Sequence, residues 1–213
     1  MALIKLENVT KKFKDTKVLE NVSIELEEGK IYGFVGINGS GKSVLFKLIC
    51  GLMIPSEGNI WVDGKSLTNG HFAEGVGILL DGTGFLPRAS AMSNLKSIAI
   101  INNIIDDNRI REYIEMVGLD PESKKHVGKY SLGMKQRLGI AQAIMERPKI
   151  LLLDEPMNGL DEDGVIEVRK LLKELNINKG VTILMASHNK EDLSELCEKV
   201  YMLKKQNLSL IEN

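Results

Sequence analysis

The chain has 213 residues, 43% of them hydrophobic, which is enough apolar side chain to fill a sizeable core in one large domain or two small ones. Its 28 Lys and Arg nearly balance its 29 Asp and Glu, which excludes a global field drawing it onto nucleic acid or an anionic membrane; any polyanion it binds must be held locally. Cys50 and Cys197 stand far apart without metal-type spacing, and the first residues carry no basic segment leading into an apolar one, so a reducing cytoplasm is expected.

Short apolar runs at 3–9, 22–26, 31–35, 60–62, 76–80, 150–153, 181–185 and 200–203 alternate with helix-like stretches, the pattern of an α/β fold. Ile4 and Leu6, and then Val22, Ile24 and Leu26, alternate with polar residues, whereas Ile150, Leu151, Leu152 and Leu153 form a continuous apolar run of the kind a central strand needs when both its faces are covered. The expected sheet is mixed, with an antiparallel N-terminal portion and a parallel core. From about 81 to 148 helical spacing replaces the strand signal: Ile110, Tyr113, Ile114 and Val117 make one apolar stripe, and Met134, Leu138, Ala141 and Met145 another. Gly118 and Pro121 stop the first helix and Pro148 closes the second. This predicts one domain, with a helical subdomain at about 81–148 inserted into an α/β core of residues 1–80 and 149–213. The stretch 98–105 is apolar but is broken by Asn102 and Asn103 and falls well below the ~20 residues that span a bilayer. A later helix at 165–175 places Val165, Val168, Leu172 and Leu175 on one face, with Asp163 as its expected cap.

The segment Gly36-Ile37-Asn38-Gly39-Ser40-Gly41-Lys42-Ser43 fits the pattern G-x-x-x-x-G-K-S, follows the apolar run 31–35 and precedes a helix-like stretch beginning at Val44. Gly36, Gly39 and Gly41 let the backbone turn its N–H groups inward, and the helix N-terminus adds positive partial charge. Lys42 would reach the terminal phosphates of a purine nucleotide, ATP, and the Ser43 hydroxyl would ligate Mg²⁺. Further along, Asp154 and Glu155 stand directly at the end of the run 150–153, where α/β sheets bind ligands. Asp154 is placed to hold Mg²⁺ through its water shell, and Glu155 to polarise the water that attacks the γ-phosphate.

At this point the chain resembles, along essentially its whole length, the nucleotide-binding subunit of an ATP-binding cassette (ABC) transporter. Ser131-Leu132-Gly133-Met134-Lys135-Gln136 is similar to the family signature Leu-Ser-Gly-Gly-Gln, with Tyr130 at the leucine position and Leu132 replacing the first glycine. Asn158-Gly159-Leu160-Asp161 resembles the D-loop, Ser187-His188 the switch histidine, and Phe13 the aromatic on which adenine stacks. Singly, each admits a plainer reading: a helix start with a Ser cap, a loop acid or helix cap at Asp161, a polar strand end at His188, a core aromatic at Phe13. Together they imply a nucleotide site of Phe13, Gly36, Asn38, Gly39, Ser40, Gly41, Lys42, Ser43 and Val44. Lys42, Glu155 and His188 act in hydrolysis, Asp161 belongs to the D-loop, and Ser131, Gly133 and Met134 meet the nucleotide of a second subunit. The resemblance further implies ATP-driven closure of a homodimer or heterodimer, Mg²⁺ as cofactor, a transmembrane permease as partner and no nucleic acid. The location it implies is cytoplasmic, on the inner face of the cell membrane. The form of the signature and of Glu155-Pro156-Met157-Asn158-Gly159-Leu160-Asp161 is most similar to bacterial cassettes for bacitracin and lantibiotic export or immunity.

Three further positions depart from the family pattern. Asp81 stands where a glutamine usually approaches Mg²⁺; as a hard oxygen ligand it is a further candidate for the metal, or else a turn residue of Asp81-Gly82. Val44 lacks the hydroxyl commonly found after Ser43, which is expected to weaken nucleotide binding by ~0.5–1.5 kcal/mol. Glu198 replaces the usual aspartate near the last apolar run, and Lys124, Lys125, His126 and Lys129 read as a solvated face. A catalytically weak or non-transport ABC ATPase with a regulatory role remains the alternative.

Overall fold

The computed structural model describes residues 2–67, 70–80 and 84–211. Two sheets organise it. The alternating N-terminal runs form β1 (Ala2–Phe13) and β2 (Thr16–Glu27), paired antiparallel; β4 (Glu57–Val62) lies on the other edge of β1, and β5 (Lys65–Ser66) follows, giving the order β2-β1-β4-β5. The second sheet runs β10-β9-β3-β8-β7-β6, from β10 (Asn207–Ile211), β9 (Lys199–Lys204), β3 (Ile31–Val35), β8 (Thr182–Ala186), β7 (Ile150–Asp154) and β6 (Val76–Leu79). All its pairings are parallel except the terminal hairpin of β9 and β10. The antiparallel portion is thus a sheet of its own rather than one flank of a single mixed sheet.

The continuous apolar run of β7 is explained by what covers it. Leu151 and Leu153 enter one apolar cluster, and Ile150 and Leu152 the other. The first cluster joins the sheet to α2 (Ala91–Asn102), α3 (Asp107–Met116), α4 (Leu132–Ile144) and α5 (Glu162–Lys179). The second joins it to α1 (Lys42–Ile49) and the antiparallel sheet. Both predicted stripes supply the first cluster, through Ile110, Tyr113, Ile114, Val117, Leu138, Ala141 and Met145, with Met134 packed at its edge.

Helix starts follow side-chain caps. Ser90, Asp106, Ser131 and Asp161 each accept a hydrogen bond from the third residue beyond, and Asn189, before α6 (Lys190–Leu196), from the second. The expected Asp163 cap is corrected: α5 begins at Glu162 with Asp161 as cap. Its first turn, Glu162 and Asp163, carries the acidic side chains that the helix dipole favours but no apolar stripe to reveal it. Periodicity also passed over α2 and β10. Two exposed isoleucines, Ile100 and Ile101, blur the face of α2, and β10 is short and lies at a sheet edge.

Candidate active site at the C-terminal edge of the parallel sheet

Parallel strands β3, β7 and β8 end on the same edge, so the segments leaving them converge: residues 36–43 after β3, Glu155 after β7, Ser187 and His188 after β8. Asp81, after β6, lies outside the described residues.

Gly41 opens α1 with φ +108°, and a Cβ there would come within 2.9 Å of Val18, so a side chain is excluded by both backbone and space. Gly36 serves space alone, since a Cβ would lie 2.7 Å from the Leu203 carbonyl. Of the six α-helices among the described residues, α1 is the one that starts without a side-chain cap, leaving its first N–H groups directed at the loop mouth. Lys42 is buried and its ammonium curls back over the loop, donating to the carbonyls of Gly36 (2.8 Å) and Ile37 (3.4 Å). Ile37, Asn38 and Gly39 are exposed at the tip, while the Ser40 Oγ is buried with no protein partner. Uncapped amides, a lysine bonded only to carbonyls among the described residues and a hydroxyl with no partner among them together fit a polyphosphate.

Behind the loop the Ser43 hydroxyl donates to Asp154 Oδ2, joining α1 to the end of β7. A hydroxyl and a carboxylate are the hard oxygen donors that Mg²⁺ takes, so the pair fits that ion. Val44 is half-buried and packs against the cluster under the antiparallel sheet. Glu155 adopts φ +49°, a left-handed conformation costing a non-glycine residue ~1–3 kcal/mol and found at functional sites. Its N–H donates to the Ala186 carbonyl (2.9 Å), and its Oε2 meets His188 Nδ1 at 2.9 Å. The His188 ring is 77% exposed, so the histidine is held through Nδ1 and its outer edge is open. Ser187 Oγ accepts from the Asn189 N–H (3.1 Å), fixing the backbone around His188. Two side-chain pairs, Ser43 with Asp154 and Glu155 with His188, thus meet at the consecutive residues that end β7, and Lys42 precedes Ser43 at the start of α1.

Phe13 does not join it. The ring lies at the end of β1, 44% exposed, with the Lys11 ammonium 5.3 Å from its centroid, so it belongs to the surface and not to the core. Ser131, Gly133 and Met134 form a separate patch at the start of α4. Ser131 caps the helix by accepting from the Met134 N–H (3.2 Å), which leaves its own hydroxyl proton free to donate outward. Asp161, exposed, spends one oxygen on the Gly164 N–H (3.1 Å).

Sequence reasoning missed two contacts. The Gln136 amide donates to the Glu155 carbonyl (2.9 Å). Buried Arg169 on α5 pairs with buried Asp192 on α6 through Nε (2.9 Å) and Nη2 (2.6 Å). Periodicity gives no sign of either; for the second contact the one signal is Arg169, a charged residue beside Val168 in the apolar stripe of α5. The two cysteines are free, and burial pushes the Cys197 thiol up to about 12.

Fold and loop together define a P-loop nucleotide-binding protein, and comparison with known proteins narrows the class. Residues 19–158 match the family model described as ABC transporter, and the chain belongs to that family as an ATP-binding, ATP-hydrolysing subunit. It is 46% identical over 197 residues to the uncharacterized ABC transporter ATP-binding protein YybJ of Bacillus subtilis, covering 92% of this chain and 90% of that one. It is 38% identical to the bacitracin transport ATP-binding protein BcrA of Bacillus licheniformis, over 93% of this chain but 65% of BcrA. Against the lantibiotic transport protein SrtF of Streptococcus pyogenes the identity is 32%, over 92% of this chain and 84% of SrtF. Among solved structures, the cassette MJ0796 in a dimeric post-hydrolysis state bound to ADP and Pi superposes with a TM-score of 0.88 at 25% identity, covering 99% of both chains. CbiO1 of Clostridium perfringens, part of the transporter complex cbiONQ, gives 0.81 at 28%, over 98% of this chain and 87% of that one.

Proposed function

We propose that this chain drives export of peptide antibiotics or similar compounds. Two ATP-bound copies, or one copy with a homologous partner, close head to tail, and a transmembrane permease holds them at the inner face of the cell membrane. The observation that carries the reading is the polar group at the sheet edge, with Glu155 held between Ala186 and His188 beside the Ser43–Asp154 pair. The likeness to BcrA and SrtF supports the substrate class, and no helix among the described residues is long and apolar enough to cross a membrane, in keeping with a separate permease.

In this reading the loop amides and Lys42 hold the phosphates, while Phe13, exposed on β1, stacks on adenine. Ser43 and Asp154 hold Mg²⁺, which when bound neutralises charge on the phosphates. Glu155 orients and deprotonates water, and His188 fixes the carboxylate that does so. Ser131 of the second copy donates to the γ-phosphate from a helix N-terminus, so closure lasts only while that phosphate is present.

Glu155→Gln tests this. Turnover is expected to fall by about two to four orders of magnitude with ATP binding retained, and the variant to become dimeric in ATP by light scattering. An undiminished ATPase rate removes Glu155 as base, and a monomer at saturating ATP and Mg²⁺ removes the head-to-tail arrangement. Slow hydrolysis in the unaltered chain, unaffected by membranes containing a permease, would favour the regulatory alternative.

A further inference from the structure

Glu155 needs an unusual backbone, and part of what holds it comes from α4, the helix that begins at Ser131. At φ +49° its peptide departs from the extended strand it terminates, turning the side chain toward His188. Its carbonyl accepts from the Asn158 N–H (3.1 Å), which closes the turn, and from Gln136 Nε2 (2.9 Å), which comes from α4. Gln136 is half-buried and lies one turn beyond the Ser131 cap.

The contact belongs to a close-packed seam. A Cβ on Gly133 would stand 2.6 Å from the Gly159 carbonyl, and one on Gly159 would stand 2.5 Å from Leu132, so the first turn of α4 lies against the loop running from Glu155 to Asp161. The next residue, Arg137, donates through Nη1 to the Val117 carbonyl (2.8 Å) and to Glu167 (2.7 Å), tying α4 to the end of α3 and to α5. Because α4 is pinned on both sides of Gln136, a displacement of its N-terminus cannot be absorbed before it reaches the Glu155 peptide.

We propose that Gln136 is a positioning residue for Glu155: its amide holds the Glu155 main chain in the left-handed conformation, so that the helix touching one nucleotide through Ser131 sets the hydrolytic carboxylate acting on the other. This rests on the reading of Glu155 as general base. Gln136 touches no nucleotide and acts through the Glu155 carbonyl. A phosphate captured by Ser131 of one chain thereby reports within that chain to its own Glu155, linking the two sites of a closed dimer.

The test uses the full chain with Gln136→Met, which keeps length and removes the donor. kcat is expected to fall by about 10- to 100-fold, the scale of a misplaced reacting group, with KM for ATP within about twofold and an unchanged melting temperature. In the Glu155→Gln background the same substitution should lower residual single-turnover hydrolysis no further. Gln136→Glu supplies an independent reading if the methionine variant folds poorly. Its ionised carboxyl cannot donate but its protonated form can, so its rate relative to the unaltered chain should rise as pH is lowered toward about 5. A normal kcat in Gln136→Met, an equal loss in the Glu155→Gln background, or a flat pH ratio overturns the proposal. Wild-type turnover in Glu155→Gln overturns this proposal and the base assignment together, whereas slow Glu155→Gln beside normal Gln136→Met overturns the positioning role alone.

Discussion

The two surfaces proposed to meet ATP are built in opposite ways. Around residues 36–43 the charged groups and the Ser43 hydroxyl are paired inside the chain, Lys42 on loop carbonyls, Ser43 on Asp154 and Glu155 on His188, while the buried Ser40 hydroxyl and the first amides of α1 are not. Around Ser131 the polar group is spent only on its own helix, Ser131 itself is exposed, and Leu132 beside it is 59% exposed. In the proposed reading the first surface is a site held ready, in which a phosphate and a cation would replace the present partners of these side chains. The second is half of one. A hydroxyl proton and a helix dipole face outward with nothing among the described residues of the same chain to take them.

The sharpest way to break this contrast is complementation. Lys42→Ala removes the phosphate grip of one surface and Ser131→Arg blocks the other, and each alone is expected to lower ATPase activity by about 10²–10³-fold, the scale of losing one electrostatic donor at a reacting phosphate. Mixed in equal amounts, the two variants should recover at most about a quarter of the normal rate, because half of the dimers are mixed and each of those retains one intact composite site. Coupling through Gln136 lowers it further, since the Glu155 of that site shares its chain with the blocked Ser131. A mixture that forms no ATP-dependent dimers by light scattering would show that the signature surface completes no site across a dimer.

How far each surface could be read from sequence follows from the same difference. The phosphate loop was legible because covalent spacing fixes it: Gly36, Gly41 and Lys42 act within one local turn, and the strand before and helix after are unambiguous. The continuous apolar run of β7 likewise announced a strand covered on both faces. What sequence could not show was tertiary contact between polar residues. Gln136 looks like any exposed helical glutamine until the Glu155 carbonyl is placed against it, and Arg169 breaks an apolar stripe without naming Asp192 as its partner. Asp163 was expected to cap α5 because apolar periodicity starts at Val165, yet Asp161 begins the helix through a polar first turn.

Phe13 sharpens the first surface at its outer margin. Stacked bases contribute ~1–3 kcal/mol on protein aromatics, so Phe13→Ala should raise the Kd for ATP by at least about fivefold. An exposed ring contributes little to the core, and the melting temperature should hardly move. Calorimetry and thermal denaturation on the same samples decide it: a large stability loss with unchanged affinity would return Phe13 to a packing role.

Val44 is the position where the two demands on the phosphate loop compete, and it yields the smallest expected effect. Its backbone lies in the first turn of α1 beside Ser43, while its side chain packs toward the cluster beneath the antiparallel sheet. Val44→Thr keeps the shape but exchanges a methyl for a hydroxyl. If that hydroxyl reaches a phosphate oxygen, binding should tighten by ~0.5–1.5 kcal/mol, about two- to tenfold in Kd. The same oxygen replaces apolar contact at a half-buried position, so the nucleotide-free protein should melt slightly earlier. Opposite signs in the two measurements identify a residue tuned for packing at the expense of nucleotide affinity. A threonine variant with lower stability and no gain in affinity would mean that position 44 faces the sheet alone, leaving the loop amides and Lys42 to hold the phosphates.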